Sequence, residues 1–200
     1  MPCRPAPASH AQRAGLTLVE LMAVAAVVMT VLLLTVPSMR DLIERQRLRS
    51  VNAQLITDLQ FARSEAVRRN TKVLVQFDQN DSLSCYVIFA GPATCDCKGT
   101  PGSACNRLVT TELRTVQVPR SASVRLDLPT DPTQSRRITI DHRTGGMVPV
   151  LGDTSTPSAD PFVVSFRGDH GGQLRISINP AGRLSVCSPG GSVSGMDSCE

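Results

Sequence analysis

The sequence predicts an α+β protein: a long N-terminal helix, membrane-spanning and then amphipathic, packed on a small antiparallel β-sheet head. Three observations carry this. Residues 16–36 are almost entirely apolar. Residues 48–66 then show an apolar stripe at helical spacing. From residue 73 onward, short β-type runs alternate with Gly, Pro, Asp and Ser.

The apolar run LTLVELMAVAAVVMTVLLLTV holds 21 residues. As a helix it would be roughly 32 Å long, enough for a bilayer core. Arg4 and Arg13 precede it with no acid among residues 1–15. That bias places the N-terminus in the cytoplasm and the head on the far side. A secretory signal would carry a small-x-small cleavage site after the run; VPSMRDLIERQR follows instead. Glu20 is the one charge in the run. A carboxylate inside a membrane helix is expensive and marks function by default.

The helix is expected to continue from residue 37 to about 70. Leu48, Val51, Leu55, Leu59, Ala62 and Ala66 step by three or four, giving one apolar stripe. Arg45, Arg47, Arg49, Asp58, Arg63 and Arg68 are placed on the other faces. Glu65 and Arg69 are four apart and able to pair. Arg68 and Arg69 suit a helix C-terminus, and Asn70 suits a left-handed cap.

Strands are expected at 73–77, 85–90, 107–118, 123–128, 136–141, 162–166, 173–179 and 183–187. Aromatic residues make up only 3% of the chain and Trp is absent. The core must therefore rest on Val, Leu, Ile and a few Phe. The domain reading is leader 1–15, span 16–36, amphipathic helix 37–70 and β-rich head 71–200. A net charge of +4 is too small to indicate a nucleic-acid partner by itself.

Seven cysteines are an odd set for disulfides. Removing residues 1–15 removes Cys3 and leaves six, all in the head, as an oxidising compartment would favour. Cys85, Cys95, Cys97 and Cys105 lack a His and the usual zinc spacing. Disulfides between Cys85 or Cys105 and the Cys95/Cys97 pair are preferred, with the connectivity open. Cys187 and Cys199 are expected to close the Gly/Ser tail. Asp141-His142 and Asp169-His170 are merely adjacent in sequence, and no nucleophile elbow, phosphate loop or Rossmann glycine pattern occurs. The chain is expected not to be an enzyme and to hold no cofactor or metal.

The segment GLTLVELMAVAAVVMTVLLLTVP, with its G-x-T-x-x-E start, resembles the class III signal and N-terminal helix of type IV pilins and pseudopilins. The resemblance implies a pilin-like fold and a prepilin peptidase that cuts between Gly15 and Leu16 and methylates Leu16, where the family usually has Phe. It implies that Glu20 pairs with an N-terminal amine during assembly, and that Pro37 loosens the helix. LQFARSEAVRRNTKVLVQF is similar to the FimT/GspH branch. The implied partners are the peptidase, other pilins or pseudopilins, the inner-membrane assembly platform and membrane lipid. The implied location is the inner membrane, then a pilus or pseudopilus. The expected role is a minor pilin or pseudopilin that primes or caps a filament. The stapled tail tilts the choice of machine toward the type IV pilus over type II secretion. NPAGRLSVCSPGG resembles the family's C-terminal end, where a G-R-x-R segment contributes to DNA binding in some members. Gly182 and Arg183 match it, but Ser185 departs. The alternative role is thus a pilus-tip DNA receptor using Arg183 and Arg175, with Arg167, Arg136, Arg137 and Arg143 completing a basic face.

Overall fold

The structure is a computed structural model. It describes residues 15, 17–92, 94–105, 108–128, 136–150 and 160–199, with the backbone alone at 34–38. The expected leader, apart from Gly15, and the expected methylation site Leu16 lie outside the described residues.

Two compact units divide the chain, residues 1–40 and residues 41–200. Helix α1 spans Leu18–Arg69 and enters both. In the first unit Thr17 starts it: its hydroxyl accepts the Glu20 N–H at 3.3 Å and its carbonyl accepts the Leu21 N–H at 3.1 Å. This is the N-cap role in which Thr serves well. Thr30 returns its hydroxyl to the carbonyls of Ala26 and Val27, so its polar group needs no outside partner. Among the described residues, no helix is long and apolar enough to cross a membrane. The expected span 16–36 runs past the described side chains at both ends.

In the second unit the helix ends in a Schellman motif. Asn70 is left-handed at φ 50°. The Asn70 N–H reaches Val67 O at 3.1 Å, and the Thr71 N–H reaches Ala66 O at 3.2 Å.

Among the described residues nine strands follow: β1 Val73–Gln79, β2 Leu83–Ala90, β3 Thr111–Pro119, β4 Val124–Asp127, β5 Arg137–Ile140, β6 Met147–Val150, β7 Phe162–Gly168, β8 Gln173–Ile178 and β9 Leu184–Cys187. They form two antiparallel sheets. One has the order β3-β2-β1-β5-β6, the other β4-β7-β8-β9. The break falls after β3, at a tight 3-10 turn over Arg120–Ala122 and a left-handed Ser123 at φ 56°. The chain leaves the first sheet there and starts the second.

Two expectations need correction. Strand β3 begins at Thr111, not 107, because the loop pinned at Cys105 must first turn back; Leu108 and Val109 are exposed in that turn. Strand β6 lies at 147–150, where no strand is expected. It is an edge strand, with Pro149 opposite Ile138. An edge is where a residue without an N–H is tolerated.

The main core takes residues from the helix and both sheets, including Leu48, Leu55, Leu59, Tyr86, Ile138, Phe166 and Ile176. A second, smaller core lies on the other face of the first sheet. There Cys85, Val87 and Phe89 meet Cys95, Cys97, Ala104 and Cys105. Strand β2 is thus buried on both faces, which explains its continuous apolar run, CYVIFA. Disulfides Cys85–Cys97 and Cys95–Cys105 hold the loop over this face, and Cys187–Cys199 closes the tail.

Candidate functional site

The candidate assembly segment is the start of α1. Gly15 is exposed with open space about it. Every residue from Leu18 to Leu33 is exposed, and only Glu20 among them carries a charge. Glu20 sits in the first turn of the helix. There the unpaired N–H groups and the macrodipole favour an anion. Pro37 lies within α1, and the backbone is helical on both sides of it.

The run ARSEAVRRN acts inside the head. Arg63 donates through Nε to Gly145 O at 3.0 Å and through Nη2 to Gly182 O at 2.8 Å. One helix residue thereby holds both the β5–β6 and the β8–β9 turns. Ser64 bonds back to Phe61 O at 2.7 Å. Glu65 takes Arg68 at 2.7 Å and Arg69 at 2.8 Å. Hydrogen bonds from Arg68, then Arg69, hold its carboxyl down to about 2. The glycine of the Gly182-Arg183 pair is thus explained structurally. Gly182 has φ +77°, and a Cβ there would overlap Arg63 Nη2. Gly182→Ala is expected to lower stability by about 2 kcal/mol, from backbone strain plus loss of the Arg63 bond. In an Arg63→Ala background the penalty should shrink to the strain alone. Denaturant titration of the four proteins measures this, and equal penalties in both backgrounds would refute the contact.

Three acids on the head portion of α1 face inward. Asp58 was expected on an outer face, yet it is 0% exposed. Its position explains this: three residues after Leu55 and four before Ala62, it stands within the apolar stripe. It accepts the Tyr86 hydroxyl at 2.7 Å and pairs with Arg114. The Arg114 guanidinium lies 4.7 Å from the centre of the Phe61 ring. Burial first, and then the bond to Asp58, push the Tyr86 hydroxyl pKa up. Glu44, four before Leu48, is 5% exposed and accepts the His170 N–H at 2.9 Å, so it caps the β7–β8 turn. A Cβ at Gly168 would overlap that carboxylate. GDHGG is therefore a turn shaped around a helix carboxylate. Glu65 is the third such acid, three after Ala62. Apolar periodicity alone hides these residues; their place in the stripe is the signal that finds them.

The arginines of the expected basic face are distributed over both sheets. Arg137 is on β5, Arg136 just before it, and Arg143 in the β5–β6 turn, all belonging to the first sheet. Arg167 and Arg175 are on β7 and β8 of the second. Arg183 is exposed in the β8–β9 turn, its N–H bonded to Asn179 Oδ1 at 2.8 Å. Ile178 opposes Leu184, while Arg175 opposes Cys187. Arg183 lies four residues from Cys187, so Arg175 and Arg183 are offset by about 13 Å along the strands. Among the described residues no group of three metal-ligating side chains occurs. An open groove of about 500 Å³ runs along β3, lined by Pro101, Gly102 and Thr110–Thr115.

The fold and these placements define an α+β class in which a long helix is a core element of a head built of antiparallel sheets. The chain belongs to the family described as Type II transport protein GspH, whose model matches residues 52–182. Among solved structures it is similar to the minor pseudopilin EpsH from the Type 2 Secretion System of Vibrio cholerae, at 12% identity and a TM-score of 0.43, over 72% of this chain and 98% of that one. No curated protein matches the sequence.

Proposed function

We propose that this chain is a minor pseudopilin, a filament subunit of the type II secretion kind, anchored in the inner membrane by residues 16–36 until assembly. The observation that carries the reading is the exposed apolar segment from Leu18 to Leu33 with Glu20 as its lone charge, in a chain of the GspH family. Family membership favours type II secretion over the type IV pilus. A prepilin peptidase cuts between Gly15 and Leu16 and methylates the new amine. Glu20 then pairs with an N-terminal amine, its own or a neighbour's. A carboxylate that is costly in lipid gains a counter-charge in the filament, which sets register. The apolar segment passes from lipid to a bundle of like helices, guided by the assembly platform.

The test begins with the protein purified from membranes with and without the peptidase. Intact mass and N-terminal sequence should show a chain starting at methylated Leu16 only when the peptidase is present. Glu20→Ala should still insert in the membrane and be cut, yet fall at least tenfold in co-assembly with partner subunits. A chain that still starts at Met1 refutes the processing step. Normal co-assembly of Glu20→Ala refutes the role of the carboxylate.

A further inference from the structure

The outer face of the second sheet carries a charge arrangement that the fold does not need. On β4, Val124 and Leu126 point into the core, so Arg125 and Asp127 point out. On β7 and β8 the buried Phe166, Leu174 and Ile176 put Arg167 and Arg175 on the same outer face. Arg125 stands directly opposite Arg167. Arg167 opposes Gln173, two residues from Arg175, so Arg167 and Arg175 are diagonal neighbours. Direct cross-strand neighbours have Cβ atoms about 5 Å apart and diagonal ones about 7–8 Å. Three arginines on three adjacent strands are therefore neighbours on one face, with Arg167 between the other two.

Folding alone disfavours this. Like charges directly opposite on a sheet are destabilising. One acid offsets them: Asp127 pairs with Arg167 at 3.1 Å. Among the described residues no acid pairs with Arg125 or Arg175. The Arg175 Nε is buried and has no hydrogen-bond partner. The face thus holds a surplus of about two positive charges.

We infer that this face docks an acidic segment of a neighbouring protein subunit, whose carboxylates are bound by Arg125, Arg167 and Arg175. Guanidinium is the group that takes a carboxylate with two parallel hydrogen bonds. Among the described residues no further arginine or lysine lies on strands β4, β7, β8 or β9, and the outward residues include no aromatic on which a base could stack. Asp127, on the edge strand beside Arg167, repels a phosphate chain but leaves Arg125 and Arg175 open to single carboxylates. These features favour an acidic peptide segment over a nucleic acid. That the partner is a subunit rests on the filament reading; the carboxylate chemistry does not.

The test uses the full mature chain, unassembled, in neutral detergent. The probes are a labelled decapeptide of alternating Glu and Gly and a labelled 20-base-pair duplex DNA, each followed by fluorescence anisotropy. The peptide should bind at low salt and weaken severalfold as salt is raised past the point where exposed charges are screened. Replacing Arg125, Arg167 and Arg175 together by Gln should weaken it at least about tenfold, since exposed pairs each contribute up to about 1 kcal/mol. Arg125→Gln alone relieves the Arg125–Arg167 repulsion, so it keeps the fold and should weaken binding about threefold. Arg143→Gln, in the other sheet, should change nothing. No peptide binding at low salt, or equal binding by the triple variant, overturns the inference. Tighter binding of the duplex, lost in the triple variant, also overturns it and gives the face to nucleic acid. Failure here leaves Glu20-dependent assembly intact, and failure of assembly leaves this binding intact, because the assay uses unassembled protein.

Discussion

Replacing Cys85, Cys97, Cys95 and Cys105 together by Ala is expected to destabilise the head by about 5 kcal/mol, the size of the whole stability of many domains. The two disulfides close loops with separations of 12 and 10 residues. Chain-entropy reasoning gives loops of that length about 3 kcal/mol each. They overlap in sequence, so the joint effect should fall short of the sum. A second contribution comes from packing. Cys85, Cys95, Cys97 and Cys105 are core residues that cover Val87 and Phe89. Without the cross-links the loop leaves that face, and β2 exposes an apolar side to water. Denaturant titration of wild type and quadruple variant checks this, with apolar-dye binding as the second readout. Cys187→Ala with Cys199→Ala should cost less, because among the described residues of that tail only Val193 is a deeply buried apolar side chain, beside the buried hydroxyl of Ser188. A quadruple variant within about 1 kcal/mol of wild type would show that the loop packs on the sheet unaided.

Asp58→Ala is expected to cost about 3 kcal/mol. The Tyr86 hydroxyl is buried and donates to Asp58. Left without an acceptor it carries a desolvation penalty of about 1–3 kcal/mol, to which the small cavity adds. Arg114 contributes less to the loss, since its side chain is 44% exposed and can turn to water. Two companion variants separate these effects. Asp58→Asn keeps an acceptor for Tyr86 and loses the charge pair, so it should cost about 1 kcal/mol. Tyr86→Phe removes the donor, so Asp58→Ala should cost at least about 1 kcal/mol less in that background. Strict additivity of the two substitutions would show that the hydroxyl–carboxylate bond is not what Asp58 provides.

Much of the head was legible because its signals are local. The Arg68-Arg69-Asn70 ending predicts a left-handed cap, and Asn70 has φ 50°. The stripe from Leu48 to Ala66 predicts a helix face, and five of its six members are fully buried. The Cys187–Cys199 staple was expected, and the other pairs fall within the alternatives left open. What was missed depends on distant neighbours. Asp58 reads as a surface acid until Tyr86 and Arg114 arrive from two strands to satisfy it. Glu44 reads the same way until the β7–β8 turn presents the His170 N–H. No strand is expected at 147–150, yet Pro149 is accommodated there because β6 is an edge. Arg125 carries no signal of its own; it matters because register sets it opposite Arg167.

By itself the sequence determined the class of the protein. The apolar run with one Glu, the helical stripe, the β-type runs and an even set of head cysteines follow from composition and period along the chain. Only the tertiary structure decided the division into two sheets, the burial of Asp58 and Glu44, the Arg63 clamp on the β5–β6 and β8–β9 turns, and the arginine cluster of the second sheet. The physical reason is common to all of them. Each depends on desolvation and hydrogen-bond partners supplied from tens of residues away, and a local pattern cannot report which distant group will arrive.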